Sequence, residues 1–154
     1  MKATQSKETT ASTNDEAQIR AIIEDYGEGL RNKEADRCVS HYAEDLAQFD
    51  LAPPLQNQGK ETARKNLAEW FKTFNGPISV EIKGVAIAAG SDAAFAHMMN
   101  RISGTNTEGQ KNDHWVRVTI GFRKTDGKWL VTHEHVSVPF YMDGSFRAAL
   151  DLKP

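Results

Sequence analysis

Cysteine is nearly absent from this chain. One residue, Cys38, stands among 154, which excludes an intrachain disulfide and with it the small disulfide-stapled secreted class. No stretch approaches the roughly 20 apolar residues of a membrane helix, so no membrane partner is expected. Charge of one sign is lacking as well. The formal net charge is −2 and the basic residues are dispersed, leaving no field that would gather nucleic acid. There is no P-loop, no dinucleotide glycine fingerprint and no Gly-x-Ser-x-Gly elbow, and no cofactor is expected. The histidines have no Cys pair or tight carboxylate cluster beside them, so no metal site is expected either. Residues 1–14, MKATQSKETTASTN, carry a lysine but no apolar run, which reads as a disordered arm rather than a secretory signal. A cytoplasmic protein is the expectation.

What remains is ordinary globular material, with 39% hydrophobic and 26% charged residues. It suffices for one domain over residues 15–154. Thr13-x-x-Glu16 has the form of a capping box. Ile19, Ile22, Ile23, Tyr26 and Leu30 then recur at helical spacing. Asn32 ends that helix, and Ala35, Cys38, Val39 and Tyr42 form a short second stripe, with Cys38 as a small buried hydrophobe. Residues 46–51 look extended until Ala52-Pro53-Pro54 stops them. A third helix is expected from about Lys60 to Asn75, with Ala63, Leu67, Trp70, Phe71 and Phe74 inward and Gly76-Pro77 as its stop. Thereafter the period becomes two, and residues 78–89, 92–104, 112–124 and 128–138 read as long strands. Helices followed by consecutive strands predict an α+β domain.

Asp126-Gly127 is a tight-turn signal that sets a register. Thr125 then faces Lys128 and Phe122 faces Val131. Continued without interruption, Ile120 meets His133, Val118 meets His135 and Val116 meets Ser137, all on a pocket-facing side. Trp115, Val136 and Val138 fall on the other face, as do Arg117 and Glu134, a diagonal ion pair. On the preceding strand, Phe95, His97, Met99 and Arg101 are expected to point inward.

Three stretches resemble the SnoaL-like and ketosteroid-isomerase-like branch of the NTF2-like superfamily. Ala21-Ile22-Ile23-Glu24-Asp25-Tyr26 with Leu30 is similar to the isomerase's first helix and its catalytic tyrosine. His41-Tyr42-Ala43-Glu44-Asp45 through Gln48-Phe49-Asp50 resembles its F-A-x-D turn and the strand that ends in its catalytic aspartate. Asp126-Gly127-Lys128-Trp129-Leu130-Val131 with His133-Glu134-His135-Val136-Ser137 resembles the D-G-x-W-x-V-x-H-x-H-x-S hairpin of SnoaL-like proteins. The resemblance implies an NTF2-like cone: three N-terminal helices on a curved antiparallel sheet, enclosing a pocket. It also implies a homodimer through the outer sheet face, for which Trp115, Val136 and Val138 form a suitable patch.

By this resemblance Asp50 is a general base and Tyr26 a donor to a developing enolate oxygen. The isomerase's second donor, a protonated acid, falls at Ile120, which cannot donate. His133, placed opposite Ile120 by the uninterrupted register, is the expected substitute. Trp70, Phe74, His97, Met99, Val118, Ile120 and His135 are expected to contact the ligand. The implied activity is cofactor-independent proton abstraction beside the carbonyl of a small hydrophobic substrate, as in an isomerase or cyclase. Two other functions share the same cone: a non-catalytic ligand-binding or dimerisation module, and an epoxide hydrolase using Arg101.

Overall fold

The long first helix, α1 (Thr4–Asn32), presents Ile19, Ile23 and Leu30 to the interior, all essentially buried. The computed structural model describes residues 4–154, with side chains from Thr13 onward. Its backbone is helical where a loose arm was expected from residue 4 on, and Thr13 lies within the helix rather than at its cap. The segment from Thr4 to Asn14 contains neither glycine nor proline, so nothing in it forces a stop. At the other end Lys33 takes a left-handed conformation, φ 57°. Glu34 N–H reaches Gly29 C=O (2.8 Å) and Lys33 N–H reaches Leu30 C=O (3.2 Å), the paired bonds of a Schellman stop. The short α2 (Ala35–Cys38) then packs back on α1. A side chain at Gly29 would come within 2.7 Å of Cys38 Sγ, so that crossing needs glycine. The Cys38 thiol is buried, and burial pushes its pKa up to about 12, as for an inert packing residue.

The strands are β1 (Tyr42–Phe49), β2 (Asn57–Gln58), β3 (Ser79–Ala89), β4 (Ala93–Thr105), β5 (Lys111–Thr125) and β6 (Lys128–Ser137). The helix α3 (Lys60–Lys72) lies between β2 and β3. The third helix therefore follows the first two strands instead of preceding the sheet. The strands form one curved open sheet in the order β2-β1-β6-β5-β4-β3. The sheet is mixed rather than wholly antiparallel, because β1 runs parallel to β6. The chain between β1 and β6 runs through β2, α3 and β3 to β5, which is ample connection for the two strands to pair in parallel.

The β5–β6 turn forms as its sequence predicts, with φ 50° at Asp126 and 76° at Gly127. Both central residues at positive φ make the turn type that matches strand twist. Thr125 pairs Lys128 and Phe122 pairs Val131, but the next partner of Gly121 is His133. Thr132 is thus an extra residue, a β-bulge, and every β6 side chain beyond it changes face. A second bulge interrupts β3 between Lys83 and Ala86, with Gly84 at φ 68° supplying the left-handed residue.

Asp15 ties α1 to this hairpin. Its Oδ1 accepts from Trp129 Nε1 (3.0 Å) and from Lys124 Nζ (2.8 Å), and these donors hold its carboxyl below the usual range. Asp15→Ala would strand a buried indole N–H and an ammonium, and should cost about 1–3 kcal/mol in urea unfolding. A change below about 0.5 kcal/mol, the range of neutral surface substitutions, would contradict the tether. Because the folded pKa is depressed, this contribution is complete above the unfolded value of about 3.9. It is lost as pH falls through the folded value.

Candidate functional site

Between α1, α3 and the inner face of the sheet lies a cavity of about 480 Å³. Its apolar wall includes Leu67, Trp70 and Phe74 from the α3 side, and Val118, Ile120 and Val136 from the sheet. Tyr26 lines it from α1, and Asp50 sits at the exposed end of β1 with Oδ1 accepting Leu51 N–H at 2.7 Å. Of the residues anticipated from sequence, then, Tyr26, Asp50, Trp70, Phe74, Val118 and Ile120 share one cavity.

The two histidines do not. The Thr132 bulge turns His133 and His135 to the outer face, where both lie edge-on to Phe49, with ring centroids 4.8 and 5.5 Å away. His133 Nδ1 is 2.8 Å from the Ala47 carbonyl oxygen. His133 therefore supplies no donor to the cavity, and His135 no ligand contact. His97 and Met99 also face outward, because β4 pairs even residues with the inward even residues of β5: Ala96 with Ile120, Met98 with Val118, Asn100 with Val116. Arg101 shares that outer face and grips Asp113 through two bonds of 2.7 and 2.8 Å, so the arginine of an epoxide hydrolase is not in the cavity. The same bulge turns Val136 inward, away from the expected outer patch.

In place of His133 the bulge brings Glu134 inside. It pairs with Ile120 across the sheet, on the neighbouring strand to the position where the resemblance had lost its acid. Glu134 is 3% exposed and its two oxygens have separate partners. Tyr42 Oη donates to Oε2, and Gln48 Nε2 donates to Oε1 at 3.2 Å. Burial raises the Glu134 carboxyl above its ordinary value, the two donors oppose that, and the charge of Asp50 adds to it. Tyr26 stacks beside Tyr42, rings 6.2 Å apart and 16° from parallel. Burial first, and the Glu134 charge second, push both phenols well above their ordinary range. Tyr42, Glu134 and Gln48 thus form a buried hydrogen-bonded chain, with Tyr26 stacked against its tyrosine end.

His114 lines the cavity too. Burial lowers its imidazole pKa, against a smaller opposing pull from Asp113. Asn100 is buried among the lining residues. Among the described residues, no three His, Cys, Asp or Glu side chains converge as metal ligands, and no helix is long and apolar enough to cross a membrane.

The SnoaL-like domain model matches residues 19–141. The chain belongs to the SnoaL-like family. An NTF2-like protein of unknown function from Pseudomonas putida KT2440 is 34% identical, with a TM-score of 0.84 over 93% of this chain and 99% of that one. Two more distant structures share the fold. A ketosteroid isomerase-like protein from Erwinia carotovora atroseptica SCRI1043 is 21% identical, TM-score 0.68, over 79% of this chain and 93% of its own. A candidate scytalone dehydratase from Novosphingobium aromaticivorans DSM 12444 is 19% identical, TM-score 0.74, over 89% and 92%. No curated protein matches the sequence.

Glu134 also sets a pH signature for this SnoaL-like domain. Its folded pKa is raised, so the native state holds a proton that the unfolded chain releases from about pH 4.3 upward. Stability is therefore expected to decline as pH rises from there through the folded value. Glu134→Gln should flatten that decline when urea midpoints are followed across pH. Parallel curves for the two proteins would mean that folding leaves the Glu134 pKa unchanged.

Proposed function

We propose that the cavity is the active site of a cofactor-independent enzyme that moves a proton beside the carbonyl of a small hydrophobic substrate. The observation that supports it is the pair of unlike carboxyl groups at one cavity. Glu134 is buried, raised in pKa and bonded to Tyr42, whereas Asp50 is exposed at the rim. Environments that separate two carboxyl groups in this way suit one to act as acid and the other as base.

In this reading Asp50 takes the proton from the carbon next to the carbonyl. The C–H electron pair moves into the new C=C bond, and the carbonyl π pair moves onto oxygen. Tyr26 donates a hydrogen bond to that enolate oxygen. A neutral Glu134 supports it through Tyr42, because a protonated carboxyl can donate to the Tyr42 oxygen and free the Tyr42 hydroxyl for Tyr26. Asp50 returns the proton to the same carbon or, where the substrate carries a C=C bond next to that carbon, to the far end of the resulting dienolate two carbons along. In the second case the carbonyl re-forms and the double bond has moved, which is an isomerisation. The apolar wall of Trp70, Phe74, Val118 and Ile120 excludes water, which strengthens each of these interactions.

Deuterium exchange into 2-tetralone, followed by NMR, tests the reaction. Asp50→Asn should reduce the catalysed rate by about 100-fold or more, and Tyr26→Phe and Glu134→Gln by about 10- to 1,000-fold. Saturable binding of the ketone with no exchange above buffer would leave a ligand-binding module as the function.

A second copy of the chain is the partner this reading carries, docked on the outer sheet face. Two cross-sheet rows there, Ala47–His133–Gly121–Phe95–Ala88 and Phe49–His135–Thr119–His97–Ala86, contain no carboxylate, lysine or arginine. A face of that kind meets its own copy without like-charge repulsion. Phe95, half exposed at its centre, is the residue to charge. Phe95→Lys should convert a dimer to a monomer by light scattering, and an unchanged mass would place the interface elsewhere.

A further inference from the structure

The His-x-His pair of β6 is left without a place in the cavity. The Thr132 bulge turns both side chains to the outer face, where residues two apart on a strand stand side by side. The His133 and His135 rings have centroids 6.4 Å apart and planes 61° from parallel. Phe49 lies edge-on to both, so two imidazoles and one phenyl ring form a compact cluster. His133 is half-buried in it and His135 is exposed.

The backbone holds His133 in a particular form. Its Nδ1 is 2.8 Å from the Ala47 carbonyl oxygen. A carbonyl oxygen only accepts, so Nδ1 carries the hydrogen, and in the neutral ring Nε2 keeps its lone pair. A metal-ligating histidine is held in the same way, its second nitrogen donating to a carbonyl that fixes the tautomer and raises the basicity of the first. Ala47 is the β1 partner of His133, so strand pairing sets the position of that carbonyl. Among the described residues, no hydrogen bond or ion pair ties down His135. Two imidazoles that share one ion at about 2.1 Å from each nitrogen have centroids roughly 5 Å apart at a tetrahedral angle. From 6.4 Å the exposed ring has about 1 Å to close.

The surroundings select the ion. Ala47 and Phe49 on β1, and Gly121 and Thr119 on β5, flank the pair, and none of them brings a charge. Arg117, the next outward residue of β5, donates to Ser137 Oγ at 3.2 Å. Calcium and magnesium require oxygen ligands, and no carboxylate stands in these rows. Neutral imidazoles suit nickel, copper and zinc. We infer that His133 and His135 bind one divalent ion of this group, with water on its remaining positions. Two protein ligands are fewer than the four of a structural zinc site, so the ion is exchangeable. It lies on the opposite face of β6 from Glu134 and takes no part in the reaction proposed for the cavity.

Titration calorimetry of the untagged chain with nickel chloride and zinc chloride tests it, with magnesium chloride as the reference. Nickel and zinc should each saturate one site per chain, and magnesium none. His135→Gln, a change at an exposed position, should weaken both by tenfold or more, and His133→Gln likewise. His97→Gln, on the same face but outside the pair, should leave both unchanged. Paramagnetic nickel should broaden the ring signals of His133 and His135 in NMR spectra before those of His41, His97 and His114. Zinc should also raise the Tm of the native protein and not that of His135→Gln. Absence of saturable nickel and zinc binding would overturn the inference. So would binding that survives His135→Gln at full strength, or broadening that begins at His41, whose Nε2 lies 3.4 Å from Asp25 Oδ2.

Discussion

Placing a carboxyl group in an apolar wall is unfavourable unless both its oxygens find donors, and in this protein Glu134 finds Tyr42 on one side and Gln48 on the other. Both donors come from β1, the strand that runs parallel to β6 and pairs Gln48 directly with Glu134. The parallel junction is thus more than a topological detail. It brings the tyrosine and the glutamine to the same acid, and through Tyr42 it connects that acid to Tyr26 on α1. The polar wall depends on this one junction, and burial there raises the pKa of the acid.

The acid reaches that position because of one extra residue. With side chains alternating every two positions, inserting Thr132 exchanges the inward and outward sets of the rest of β6. Without the bulge the cavity would carry two histidines, and the outer face would carry Glu134. With it, the histidines gather beside Phe49 outside. The chemistry of the cavity is in this sense decided by backbone register before any catalytic side chain is considered.

Much of the architecture could be read from the residues alone, because it rests on local signals. The stripe of Ile19, Ile23 and Leu30, the Asp126-Gly127 turn and the four long strands are each specified within a few residues. The bulge also left a trace: the apolar residues packed on the core fall at odd positions for Trp129 and Val131 and at even ones for the partly buried Val136 and Val138 at and just past the end of β6. Such a change of parity marks an inserted residue. The inversion of β4 was less legible. Its two faces offer Phe95 and Met99 against Ala96, Met98 and Ile102, which hydropathy does not separate, and the long β4–β5 turn does not fix a register. Gln48 and Asn100 were concealed for a related reason. An amide in a strand reads as solvent-facing, and only the three-dimensional wall shows it turned inward.

These buried amides weigh on the choice between a packed core and a working cavity. A core selected for stability alone would fill such positions with leucine or valine, satisfying the same alternation with no unpaired oxygen. Ile120 shows that the sheet accepts an apolar group where the resemblance places an acid, and its neighbours in the row take the opposite course. Glu134 is retained with bonds to both oxygens, and Gln48 is retained with one atom left over. A wall that accepts aliphatic residues at some positions yet holds a raised-pKa carboxyl and two buried amides at others has the mixed polarity of a ligand site. The placement also separates them: Glu134 is bonded to Tyr42, which stacks on Tyr26, whereas Asn100 lies four residues beyond that row on β4.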